Sequence, residues 1–120
     1  MKKIVVVDDD PGMLEYITFA LKDNFSVETA PDGLAGLEMI KKVQPDLVIL
    51  DLLMPRMHGF EVCKRIREDA KLKKTKVLVS SSKSYAVDMA AAAEAGADMY
   101  IVKPFDVSSF LEKVRELLGE

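Results

Sequence analysis

Residues 46–51 read Asp-Leu-Val-Ile-Leu-Asp: four apolar side chains in a row, halted at Asp51. A solid run of this length suits a strand covered on both faces, as in the centre of a parallel sheet. Three further runs end in the same abrupt way. Ile4–Val7 stops at Asp8-Asp9-Asp10, Val77–Val79 at Ser80-Ser81-Ser82, and Ile101-Val102 at Lys103-Pro104. Between these runs lie longer segments with helical spacing of apolar residues. Strict alternation of that kind is the pattern of βαβ units.

The first strand is expected over Lys3–Asp8. Asp10 is a good helix N-cap and Pro11 a good first helical residue. The first helix should run to about Lys22, with Leu14, Ile17, Phe19 and Leu21 making apolar contacts. The second strand, Ser26–Ala30, mixes polar and apolar residues and reads as a partly exposed edge. Asp32-Gly33 opens a second helix, which ends before Pro45. The third strand is Asp46–Asp51. Pro55 and Gly59 mark a loop before a third helix, Gly59–Ala70. The fourth strand is Lys76–Ser81. A fourth helix runs from near Ser84 to Gly96, a suitable residue just past a helix end. The fifth strand, Met99–Val102, precedes a helix capped by Asp106, with Phe110, Leu111, Val114, Leu117 and Leu118 at helical spacing. Five strands and five helices in alternation predict an α/β fold with a doubly wound, open, five-stranded parallel sheet.

With 120 residues, 49% of them apolar, the chain suits one domain over residues 1–120 with a real core. The sequence shows no repeat, linker or low-complexity tract that would mark a second. Net charge is −3, so there is no general attraction to nucleic acid, and no direct nucleic-acid binding is expected. No apolar run approaches the roughly 18 residues that span a bilayer, and the opening Met-Lys-Lys-Ile-Val-Val-Val-Asp is too short for a signal peptide. No membrane partner is expected. Cys63 is the only cysteine, so no internal disulfide forms, and a cytoplasmic location is the simplest expectation. One local excess of positive charge lies between Lys64 and Lys76. It reads as a solvated helix end and loop, or alternatively as a docking patch for an acidic partner. Without interleaved aromatic residues it does not suit base stacking.

In doubly wound sheets, ligands sit beyond the carboxyl ends of the strands, where strand order reverses. Asp8, Asp9, Asp51, Ser81 and Lys103 all lie at such ends. Three carboxylates in one crevice repel: a pair about 4 Å apart costs about 4 kcal/mol at an effective dielectric near 20. Lys103 alone cannot balance them. A divalent cation can, and all-oxygen ligation with few carboxylates favours magnesium. Asp8 and Asp9 are then metal carboxylates, and Asp51 is both a ligand and a nucleophile able to form an aspartyl phosphate. Lys103, the Ser81 hydroxyl and nearby backbone N–H groups would hold the phosphoryl oxygens. Taken one at a time, each of these residues could equally be a cap, turn or surface residue, and Asp10 is read as only a cap.

These residues resemble the receiver domain of two-component response regulators. The resemblance spans essentially the whole chain. It rests on Val-Val-Asp8-Asp9, on Leu-Val-Ile-Leu-Asp51-Leu-Leu-Met-Pro-Arg-Met-His-Gly, on Ser81-Ser82 and on Tyr100-Ile-Val-Lys103-Pro104-Phe105. It implies a flavodoxin-like (βα)5 fold with strand order 2-1-3-4-5. It makes Asp51 the phospho-acceptor, a sensor histidine kinase or phosphotransfer protein the donor, and a separate output protein the partner. Magnesium would be bound by Asp8, Asp9, Asp51 and the main-chain carbonyl of Leu53. Ser81 and Tyr100 would form a switch: the hydroxyl turns toward the phosphoryl group, the ring moves into the space left, and the surface of the fourth helix, fifth strand and fifth helix is re-presented. The Lys103–Pro104 bond would be cis, although about 5–6% of X–Pro bonds are cis in general. Catalysis would be confined to the chain's own phosphorylation and dephosphorylation.

Some positions depart from the family pattern. Ser81 stands where threonine is usual, Ser82 where a small apolar residue is typical, and Ser80 replaces an apolar strand residue. Leu53 and Lys83 lie where side chains tune access of water to the phosphoryl group. His58 reads as an exposed structural residue, Cys63 as a small packing residue, and Ala90–Ala93 as a run of high helix propensity. Other readings stay open. An aspartate-nucleophile phosphatase of haloacid dehalogenase type fits Asp8-x-Asp10, though Gly12 and the lack of a cap domain count against it. A receiver that docks without phosphorylation is another. A flavodoxin-like nucleotide module is disfavoured by the acidic first loop.

Overall fold

Each apolar run becomes a strand, and the strands lie side by side in one parallel sheet. The computed structural model describes residues 1–54 and 56–120, so the loop expectation placed on Pro55 lies outside the described residues. Strands β1 (Lys3–Val7), β2 (Ser26–Ala30), β3 (Leu47–Asp51), β4 (Lys76–Ser81) and β5 (Met99–Val102) take the order β2-β1-β3-β4-β5. Helices α1 (Pro11–Leu21), α2 (Gly33–Val43), α3 (Gly59–Glu68), α4 (Ala86–Ala95) and α5 (Val107–Leu118) connect and follow them. This is the doubly wound flavodoxin-like architecture.

Two apolar layers sandwich the sheet. Val5, Val7, Val48, Leu50, Val77 and Val79 face α2, α3 and α4, packing on Ile40, Val62, Ile66 and Ala92. Ile4, Val6, Leu47, Ile49, Leu78 and Ile101 face α1 and α5, packing on Ile17, Leu21, Phe110 and Val114. Alternation along each strand produces this division. Every residue of β3 is buried, as a central strand requires, whereas β2 is largely exposed at the sheet edge.

The helix ends follow local chemistry. Asp10, Asp32 and Asp106 cap α1, α2 and α5 through their carboxylates, and Pro11 occupies the first turn of α1. Gly96 ends α4 at φ 112°, a left-handed conformation that favours glycine. Three expectations need correction. Phe19 is 74% exposed and makes no core contact, because α1 buries only Ile17 and Leu21 fully. The third helix stops at Glu68, and Ala70 instead begins a single 3-10 turn capped by Asp69. The fourth helix begins at Ala86 rather than near Ser84, because Tyr85 is the cap residue and carries no capping hydrogen bond.

Candidate functional site

The carboxyl ends of β1, β3 and β5 gather at the crevice between β1 and β3, where the connection after β1 runs to β2 on one side and the connection after β3 runs to β4 on the other. Asp8 follows β1 directly and is 1% exposed. Its two oxygens are both engaged: Oδ1 accepts from the Asp10 backbone N–H at 2.9 Å, and Oδ2 from the Lys103 ammonium at 2.8 Å. Asp51 closes β3, and its Oδ2 lies 3.6 Å from Lys103 Nζ. Asp9 is exposed at the rim. One oxygen from each of Asp8, Asp9 and Asp51 falls within 4.8 Å of the other two. The topology therefore assembles four of the five predicted polar groups around one point.

The electrostatics are deliberately unequal. Burial is the main cause that raises the Asp51 carboxyl above the usual carboxylate range, and Asp8 and Asp9 push the same way. Lys103 and hydrogen bonding from the Leu53 backbone oppose it without cancelling it. Three carboxylates share one ammonium, which leaves a net negative, all-oxygen pocket. That donor set fits a hard divalent cation of magnesium type.

Ser81 is the fifth predicted group. It ends β4, is 1% exposed, and its Oγ accepts from the Lys83 backbone N–H at 3.1 Å. Tyr100 lies on edge strand β5, half-buried, and its hydroxyl donates to the Lys83 carbonyl at 2.8 Å. Lys83 thus offers its N–H to one predicted switch residue and its carbonyl to the other, a link the sequence did not suggest. Leu53, two residues beyond Asp51, is 48% exposed. The Lys103–Pro104 peptide bond is cis. The adjoining Phe105 stacks on Phe110 with ring centroids 5.1 Å apart, and its carbonyl accepts from the Tyr16 hydroxyl.

Two residues at the start of the third helix, to which sequence reasoning gave no part in the site, matter here. Gly59, the first residue of α3, packs straight against the end of β3. A Cβ there would lie 2.5 Å from the Asp51 carbonyl oxygen and 2.7 Å from the Leu52 Cα. The Gly59 N–H also donates to the Leu52 carbonyl at 3.0 Å. His58 caps α3, its Nδ1 accepting from the Phe60 N–H at 3.2 Å while its ring stacks on Phe60. The signal was present in the close spacing of His58 and Gly59 after Asp51, but only the fold shows what they touch. Asp10 does what its position suggested, accepting from the Gly12 N–H at 3.0 Å.

The profile of the response regulator receiver domain matches residues 4–115. The chain belongs to that family. Among curated relatives, the DNA-binding dual master transcriptional regulator RpaA of Synechocystis sp. is 37% identical over 119 residues, 98% of this chain and 49% of RpaA. The response regulator ArlR of Staphylococcus saprophyticus is 36% identical over 98% of this chain and 53% of ArlR. The chain thus spans about half the length of the curated relatives it matches. Among solved structures, chemotaxis protein CheY4 of Vibrio cholerae superposes with a TM-score of 0.93 at 31% identity, covering 98% of this chain and 99% of that one. The BeF3-activated N-terminal receiver domain of Klebsiella pneumoniae RstA gives 0.90 at 29% identity, covering 98% and 99%.

The chain is therefore a receiver domain of a two-component system, a signalling module by family. RpaA is a DNA-binding regulator about twice this length, so the acidity of these 120 residues is no guide to nucleic-acid binding by a longer protein. Among the described residues, no helix is long and apolar enough to cross a membrane.

Proposed function

We propose that this receiver domain is a phosphorylation-dependent switch in which Asp51 accepts a phosphoryl group from a histidine kinase or phosphotransfer protein. The observation that carries the reading is the Lys103 ammonium placed between Asp8 at 2.8 Å and Asp51 at 3.6 Å, inside a cluster of three carboxylates. Asp8, Asp9, Asp51 and the Leu53 carbonyl would hold magnesium, which when bound neutralises charge at the phosphoryl group.

The chain's own residues have separable tasks. An Asp51 oxygen forms the new bond to phosphorus as the bond to the donor breaks, and the leaving group departs with its electron pair. Lys103, bonded to Asp8 and 3.6 Å from Asp51, would turn its ammonium to a phosphoryl oxygen. Ser81 exchanges its bond to the Lys83 N–H for one to the phosphoryl group, and Tyr100 releases the Lys83 carbonyl and moves inward. The surface of α4, β5 and α5 then differs between the two states and is read by a separate output protein. The new anion biases a two-state element.

The phosphatase alternative rests on Asp8-x-Asp10 and needs the Asp10 carboxylate in the pocket, but Asp10 is occupied capping α1. Incubation with acetyl phosphate and magnesium tests the proposal. A gain of one phosphoryl group, absent in Asp51→Asn and retained in Asp10→Ala, supports it. Labelling that persists in Asp51→Asn overturns it.

A further inference from the structure

Ser80 is buried beside the acceptor, on the adjacent strand. It is 1% exposed, and its Oγ has no hydrogen-bond partner among the described residues. A buried hydroxyl in that condition costs about 1–3 kcal/mol. Alanine or valine would fill a strand interior without that cost.

Register fixes its surroundings. Ser80 pairs with Asp51 on one side and with Ile101 on the other. Two residues earlier, Leu78 faces the α1/α5 layer together with Ile49 and Ile101. Alternation therefore puts the Ser80 and Asp51 side chains on the same face of the sheet, one strand spacing of about 4.8 Å apart. Ser81 points to the opposite face, and its hydroxyl is already engaged by Lys83.

Beyond the hydrogen bonding from the Leu53 backbone, Asp51 has no close donor among the described residues. Lys103 is bonded to Asp8, and its 3.6 Å separation from Asp51 exceeds a hydrogen bond. If Lys103 moves to a phosphoryl oxygen, Asp51 keeps only the Leu53 backbone beside it. An unengaged hydroxyl on the adjacent strand is placed to take over.

We propose that Ser80 is a positioning residue of the acceptor. A turn about its Cα–Cβ bond lets the hydroxyl donate to the Asp51 oxygen that does not attack phosphorus, which holds the carboxyl group in orientation through the transfer. The proposal rests on Asp51 being the phospho-acceptor.

The test compares the parent with Ser80→Ala and Ser80→Thr by three measurements: urea unfolding without metal, the carboxyl carbon resonance of Asp51 with magnesium and beryllium fluoride as a phosphoryl mimic, and the initial rate of labelling by acetyl phosphate with magnesium. Ser80→Ala is expected to unfold at the same or higher urea concentration, since the hydroxyl holds nothing in the resting fold. Its labelling rate should fall about fivefold to tenfold, the rate equivalent of one hydrogen bond. Its Asp51 resonance should shift. Ser80→Thr should restore both the rate and the resonance. Equal rates and resonances in all three proteins overturn the proposal, as does a slow Ser80→Thr, which would assign the effect to packing. A parent that takes no label overturns the acceptor reading itself and the proposal with it.

Discussion

The two ends of the sheet treat charge in opposite ways. At the amino end of β4 and β5, Arg67 engages all three nitrogens of its guanidinium. Nε donates to the Gly96 carbonyl at 2.9 Å, Nη1 to the Thr75 carbonyl at 2.7 Å, and Nη2 to Asp98 at 2.7 Å. Asp98 in turn accepts from the Val77 N–H at 2.8 Å. Charge and hydrogen bonding close there, and the result ties α3 to β4 and to the turn before β5. At the carboxyl end, three carboxylates face one ammonium, and Ser80 has no partner among the described residues. One end is finished by folding. The other is left incomplete, which is what a site for an incoming cation and anion requires.

Breaking the closed end should cost most. Arg67→Ala removes three donated bonds, one of them an ion pair, and should lower unfolding free energy by about 2–3 kcal/mol, measured by urea denaturation. It should leave phosphoryl acceptance by Asp51 intact at temperatures where the variant is folded. A loss smaller than about 0.5 kcal/mol, the size of an ordinary exposed pair, would erase the contrast between the two ends.

Relieving the open end should act in the other direction and by less. The folded Asp51 carboxyl titrates above its unfolded value, so the stability this group contributes is present at low pH and lost as pH rises through the folded value. Asp51→Asn removes that loss. Without metal at neutral pH, the variant should unfold at a higher urea midpoint than the parent, and the two should converge as the pH falls below the usual carboxylate range. Adding magnesium should stabilise the parent more than the variant. A variant less stable than the parent at neutral pH would mean that Lys103 already balances the pocket.

The smallest effect concerns a buried group that belongs to neither end. Burial pushes the Cys63 thiol up to about 11. The thiolate is the reactive form, so alkylation by iodoacetamide at pH 8 should be slow in the folded protein and fast in urea. Rapid labelling of the folded chain would show that α3 opens locally.

Much of this was legible before folding. The mixed stretch Ser26–Ala30 marked β2 as an exposed edge, and the runs around Val77–Val79 and Ile101-Val102 marked β4 and β5, because a stretch covered on both faces must be apolar. The caps Asp10, Asp32 and Asp106 were equally plain, since each precedes a helical pattern. Phe19 was misplaced because helical spacing alone does not say which of several apolar residues faces the sheet. The site was legible as a set of residue types: Asp8, Asp51 and Lys103 follow the ends of three runs. What could not be read was orientation. Ser80 and Ser81 are adjacent and chemically identical, yet the pleat sends them to opposite faces, and among the described residues only Ser81 has a partner. Arg67 looked like one more charge in the basic stretch from Lys64 to Lys76, whereas its long reach to Gly96 and Asp98 exists only after α3 packs beside α4.

The contact of Gly59 with the end of β3 has a consequence for how this chain can vary over generations. Every replacement at position 59 introduces at least a methyl group, and that methyl would collide with the main chain that carries the acceptor. A codon contributing no side chain to the chemistry therefore limits drift around the pocket as firmly as the codons for its acids, and among natural variants of this chain its loss should accompany the decay of Asp51.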